Sequence, residues 1–286
     1  RLAIAVFISI IVTIIQVKTG WFSDHKLTVL PFSLIGVALG IFLGFRNNTS
    51  YDRFWEGRKL WGSIVNESRT LSRRSLTLIK PVEGDTEESI EFKKESVRRT
   101  AAYVHALRLH LRNEISAETL SNWLPPKEAA ELTSESNPPI AILHSLGELF
   151  RDAYDKGWLH AYHLPLLEET LAELTSKQGG CERIKSTPIP FAYTVTLHRI
   201  VACYCFFLPF GIVTDVNLLT PLVVAFVSYA FFGLDAIGEE VEEPFGKDLN
   251  DLPLTAITTM IERNIKERLD GEELPELKKP VDGILQ

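Results

Sequence analysis

Gly36-Val37-Ala38-Leu39-Gly40-Ile41-Phe42-Leu43-Gly44-Phe45-Arg46-Asn47-Asn48 is the stretch on which the reading of this chain turns. As a helix it repeats Gly36, Gly40 and Gly44 every four residues, and Val37, Ile41 and Phe45 likewise. One flank then carries only glycine and the adjacent flank only bulky apolar side chains. In lipid there is little hydrophobic drive between helices, so a glycine flank suits close backbone approach to neighbours. A ridge of valine, isoleucine and phenylalanine narrows a pore if it points at a symmetry axis, and simply faces lipid if it points outward. The segment ends abruptly at the polar Arg46-Asn47-Asn48.

Working outward, four runs are nearly free of charge: residues 2–17, 27–45, 200–214 and 218–234. Each approaches the roughly 17 to 25 residues that cross a hydrocarbon core, the third if its start is moved upstream past Arg199 and His198. They fall into two pairs with short polar breaks, residues 18–26 and 215–217, so each pair reads as a helical hairpin rather than as buried helices of a large soluble core. Between the pairs, residues 46–190 are polar, with Arg46, Arg53, Arg58 and Lys59 near the apolar run, which places this segment and the C-terminal tail on the cytoplasmic side by the positive-inside rule. No cleavable signal peptide is expected, because the first run is too long and no small-residue site follows it.

The chain has 286 residues, 45% of them hydrophobic, and a formal charge of −7. That acidity argues against a nucleic-acid partner and would make the lining of an assembly acidic. Cys181, Cys203 and Cys205 do not form a disulfide framework and read as buried small hydrophobes. After residue 45 the pattern turns amphipathic without a break, so a long helix is expected to follow the second apolar run. Further helices are expected over residues 89–113, 140–155 and 164–176, with a polar linker over 81–88 and loops at 123–126 and 134–139, and residues 179–190 are expected to return the chain to the membrane. Asp235, Glu239 and Glu240 read as a solvated helix end or, more sharply, as a cation-attracting ring. Asp251 reads as a helix cap ahead of Pro253, with Leu254, Ile257, Ile261 and Ile265 as an apolar stripe. No segment alternates like a strand.

No catalytic signature emerges: phosphate-cradle, nucleophile-elbow and zincin patterns are all missing, so an enzyme is not expected. His160 and His163 are three apart, but without a third ligand they read as surface or packing histidines, and no metal or cofactor is expected.

The blocks Pro31-Phe32-Ser33, Phe42-Leu43-Gly44-Phe45-Arg46-Asn47-Asn48, Arg53-Phe54, Leu60-Trp61-Gly62, Gly179-Gly180-Cys181-Glu182-Arg183, Pro190-Phe191-Ala192-Tyr193-Thr194 and Glu243-Pro244-Phe245-Gly246 resemble the bacterial bestrophin family in order and spacing along nearly the whole chain. The resemblance implies an all-α homopentameric channel around one axial pore. Each subunit would have four transmembrane helices continuous with a large helical cytoplasmic domain. It divides the chain into residues 1–46 (first two spans), 47–190 (cytoplasmic), 191–236 (third and fourth spans) and 237–286 (cytoplasmic C-terminal helix and tail). In that family three rings form a hydrophobic neck, and the matching positions are Val37, Ile41 and Phe45; a cytoplasmic aperture falls on Tyr162. The implied partners are identical subunits, membrane lipid and permeating monovalent ions in a bacterial inner membrane, with both termini cytoplasmic. Bacterial relatives favour cations such as sodium over chloride, and the acidic charge leans the same way. The acidic run that clasps calcium in animal bestrophins is thinned here to Lys247-Asp248-Leu249-Asn250-Asp251, so calcium gating is not expected. The rival expectation is a membrane-anchored interaction platform that conducts nothing.

Overall fold

The computed structural model describes residues 1–24, 28–80 and 86–280. Among these residues every regular element is helical: α1 (Leu2–Thr19), α2 (Trp21–Asp24), α3 (Val29–Leu78), α4 (Thr86–Leu111), α5 (Ala117–Leu120), α6 (Pro126–Leu132), α7 (Pro138–Asp155), α8 (Leu164–Ser186), α9 (Phe191–Val216), α10 (Thr220–Glu242) and α11 (Leu254–Lys266). They gather into two compact units, Arg1–Phe54 with Pro188–Glu243, and Trp55–Thr187 with Pro244–Gln286.

The stretches Leu2–Thr19, Val29–Leu78 and Phe191–Glu242 are long and apolar enough to cross a membrane; the first unit holds the first and last of them and α3 as far as Phe54, and the last contains α9 and α10, joined by a 3-10 turn at Asn217–Leu219. α1, α9 and α10 pack on one another. Ala5, Leu39, Leu43, Val201, Cys205, Leu208, Ile212 and Val224 form the buried centre. Polar side chains inside these helices turn back on their own backbone, as a dry surrounding demands: Ser9 Oγ donates to the Val6 carbonyl (2.6 Å) and Thr13 Oγ1 to that of Ser9 (2.7 Å). Gly20 stops α1 in the left-handed conformation (φ 67°), a state that costs glycine no Cβ clash. Gln16 then satisfies the corner with both ends of its amide: Nε2 donates to Ser23 Oγ (2.7 Å) and Oε1 accepts from Phe22 N (3.0 Å). The break expected over residues 18–26 lies partly outside the described residues, as does the linker expected over 81–88.

α3 runs 50 residues without interruption, about 75 Å at the usual rise per residue. The long helix expected beyond the second apolar run is therefore the same helix.

In the second unit, α4 packs against α7 and α11, and α7 against α8. Asn137 caps α7 through Ile140 N, with Pro138 ready-shaped in the first turn. Two sequence expectations are corrected here. The helix expected over residues 164–176 runs on to Ser186, and Gly180 within that extension packs closely: a Cβ there would come within 2.9 Å of the Leu60 methyls. Asp251 does not cap α11; Pro253 stands at the cap, and the Asp251 carboxylate accepts instead from Asp248 N (2.7 Å). A third correction falls in the first unit: Cys203 is exposed on its unit, while Cys181 and Cys205 are buried as expected.

Candidate functional site

α3 has two opposite faces in the first unit. Leu39, Leu43, Arg46 and Ser50, spaced four, three and four apart, form a buried stripe. Val37, Ile41 and Phe45 lie two residues before or after members of that stripe, a rotation of about 200°. They are 65, 54 and 61% exposed, so the ridge points away from everything else in its own unit. Leu30, Leu34, Ile35 and Phe42 are exposed as well, so the apolar surface of α3 is wider than the ridge. Of the glycine flank, only Gly36 meets its own subunit closely: a Cβ there would stand 2.7 Å from the Tyr204 hydroxyl. Gly40 and Gly44 have no described atom near their Cβ positions.

Directly after the ridge, Arg46 turns inward. Its Nη1 donates to Asp235 Oδ1 at 2.7 Å, with side-chain exposures of 0 and 2%. His198 Nε2 lies 3.1 Å from the same carboxylate oxygen, and Arg1 Nη1 lies 3.6 Å from Oδ2. Asn47 Nδ2 donates to the Leu234 carbonyl (3.0 Å). Two turns on, Arg53 Nε donates to the Glu242 carbonyl (3.1 Å), and Glu242 Oε1 accepts from Ile189 N (2.8 Å). Asp235 is thus neither a solvated helix end nor part of an exposed acidic ring. Removing an isolated carboxylate from water is too costly, and here it is matched by a buried guanidinium. Glu239 alone of the expected acids is largely exposed. The sequence signal for this pairing was an Arg and an Asp, each bordering an apolar run without an evident partner.

In the second unit, Tyr162 sits on the turn between α7 and α8, 82% exposed. The turn is closed by His163 N donating to the His160 carbonyl (2.8 Å), and the His160 ring stacks on Tyr162 at 5.2 Å between centroids. Among the described residues no group of three His, Cys, Asp or Glu could hold a metal. Elsewhere in this unit, His105 Nε2 meets Glu262 Oε2 at 2.8 Å. Trp123 Nε1 donates to that same oxygen (3.1 Å) and Lys266 to Oε1 (2.8 Å), while Trp123 stacks on His105. Burial pushes His105 below the ordinary histidine range, against the pull of Glu262. Burial works to raise the Glu262 carboxyl, but hydrogen bonds from His105 and Lys266 hold it at about 2. The cluster is a neutral imidazole beside an ionised carboxylate, and it ties α11 to α4.

A family model described as "Bacterial/Fungal Bestrophin protein" matches residues 1–267. A voltage-dependent anion channel-forming protein of Ralstonia nicotianae is 42% identical over 247 residues, covering 86% of this chain and 79% of the relative. One of the same name from Escherichia coli K12 is 40% identical over 250 residues, covering 87 and 80%. A solved bacterial bestrophin homologue from Klebsiella pneumoniae superposes with a TM-score of 0.86 at 38% identity, covering 96% of this chain and 98% of that one. Apolar helices and channel-named relatives together make this a membrane protein. The chain belongs to the bacterial and fungal bestrophin family.

Proposed function

We propose that this protein is an ion channel in which five copies surround one axial pore, each crossing the membrane with α1, the first part of α3, α9 and α10. The observation that carries the reading is the ridge: Val37, Ile41 and Phe45 turn their backs on a packed stripe of their own helix and have no partner within the unit. A ring of each around a fivefold axis makes a hydrophobic neck that water and ions cross reluctantly. Tyr162, exposed on its turn, supplies the second constriction at the cytoplasmic end. The domain division follows the resemblance: spans over residues 1–46 and 191–236, cytoplasmic parts over 47–190 and 237–286, in a bacterial inner membrane with both termini inside.

Two readings of the ion's sign each have an observation behind them. Resemblance and a net charge of −7 per chain favour cations such as sodium. The relatives' names favour anions. The neck chooses neither, because its three side chains carry no charge. Flux of monovalent ions into liposomes holding the purified protein tests conduction itself; empty-vesicle rates would reduce the protein to a membrane-anchored platform. Reversal potentials under a NaCl gradient then read the sign, a value near the chloride equilibrium potential giving an anion channel and one near that of sodium a cation channel.

A further inference from the structure

We propose that Asp235 and Arg46 are positioning residues for the neck: their buried pair fixes the rotation and height of α3, and so decides where Phe45 points. The inference rests on the neck reading and adds a part to it. Arg46 to Asp235 and Arg53 to the Glu242 carbonyl join residues separated by the same 189 positions, so α3 and α10 run parallel in one register with two rungs, two helical turns apart. Between the rungs α10 has Gly238, whose missing Cβ leaves the space that Asn47 Oδ1 fills. A side chain there would drive the Asn47 amide out of its place beside α10. Phe45 is the residue immediately before the first rung, and one residue of helix is a rotation of about 100°. Tethering Arg46 therefore fixes Phe45 through the backbone, on a face where Phe45 itself is largely exposed on its unit.

Energetics point the same way. A buried ion pair contributes little to stability beyond what apolar side chains of similar volume supply, but it is directional, and apolar packing is not. A helix held only by Leu39 and Leu43 could slide or turn at modest cost. A guanidinium within 2.7 Å of one carboxylate, with the nearby ring of His198 on the same oxygen, cannot turn without stranding a buried charge.

The test is a double variant, Arg46→Met with Asp235→Leu, which removes both charges and keeps the packing volume. It is purified beside the parent and beside Arg46→Lys, which keeps the charge but replaces the Nη1 donor with an ammonium on a differently shaped side chain. Assembly is read by size exclusion and unitary conductance in bilayers. The expected result is normal assembly with a unitary conductance changed by about twofold or more, and Arg46→Lys lying between variant and parent. An assembled double variant conducting as the parent does would overturn the proposal. So would loss of folding in both the double variant and Asp235→Asn, which assigns the pair to stability alone. If Ile41→Ala and Phe45→Ala also leave conductance untouched, the neck reading has failed and takes this inference with it; if those two respond while the pair does not, only this inference falls.

Discussion

Phe45 and Arg46 are adjacent, yet one is mostly exposed on its unit and the other is sealed within it. That difference is a consequence of helical rotation, and it makes residue-level outcomes sharp. Truncating Ile41 or Phe45 to alanine removes apolar bulk from side chains that are mostly exposed on their unit, so folding yield should hold. Unitary conductance should rise by about twofold or more as the neck widens and wets. Unchanged currents would turn the ridge toward lipid. Cys181 offers a second residue-scale outcome. Burial pushes its thiol up to about 12, so at neutral pH it is protonated and enclosed. Peptide mapping after maleimide treatment should find it unlabelled in folded protein and labelled after denaturation; labelling of the folded protein would refute its burial. The ridge was legible in the sequence because period four needs only one helix to be seen. The burial of Asp235 was not, since a carboxylate near a helix end is normally solvated, and its partner stands 189 positions away.

At the scale of elements, glycines mark where helices meet, and their roles separate only in three dimensions. The helix expected to end at residue 176 runs on through Gly179 and Gly180 to Ser186, and Gly180 lies close against Leu60 there. Gly238 makes the stronger case: Gly238→Val should force Asn47 from its place and destabilise the first unit by about 1–3 kcal/mol, the usual cost of overpacking. Thermal unfolding in detergent would register this as a lower midpoint. The joint between α4 and α11 answers to pH. His105 titrates lower in the fold than free, so the stability of its neutral form is present above the unfolded value near 6.5 and drains away as pH falls below it. Glu262 is held at about 2, so its contribution is present above the unfolded carboxylate value and is lost between that value and about 2. The melting midpoint should therefore begin to decline below about pH 6.5 and steepen below about pH 4.5. In His105→Gln the first decline should be smaller, the remainder belonging to His110, which burial also pushes down; a parent midpoint flat from pH 7 to 4 would contradict the cluster. In the sequence His105 reads only against His110, five residues on and too far round a helix to share an ion; its pairing with Glu262 was not legible, because the two stand on α4 and α11, separated by 157 positions.

The whole molecule is where single-chain reasoning meets its partners. α1 exposes Ile4, Phe7, Ile10, Ile11, Ile14 and Ile15, and α3 exposes its ridge, so one unit presents more apolar surface than a water-soluble monomer tolerates. Lipid can cover the first set. On the proposed reading the ridge faces its own copies across an axis, and closed rings of identical subunits are the common form of such an assembly. Native mass spectrometry of detergent-solubilised protein should then give about 161 kDa of protein, five times 32.2 kDa. A monomer or dimer could not place three rings around a common hole. Coupling that measurement to flux discriminates further: assembled five-membered protein that leaks no ion into liposomes would keep the architecture and remove the pore, whereas flux that disappears on dilution to monomer ties conduction to the ring itself.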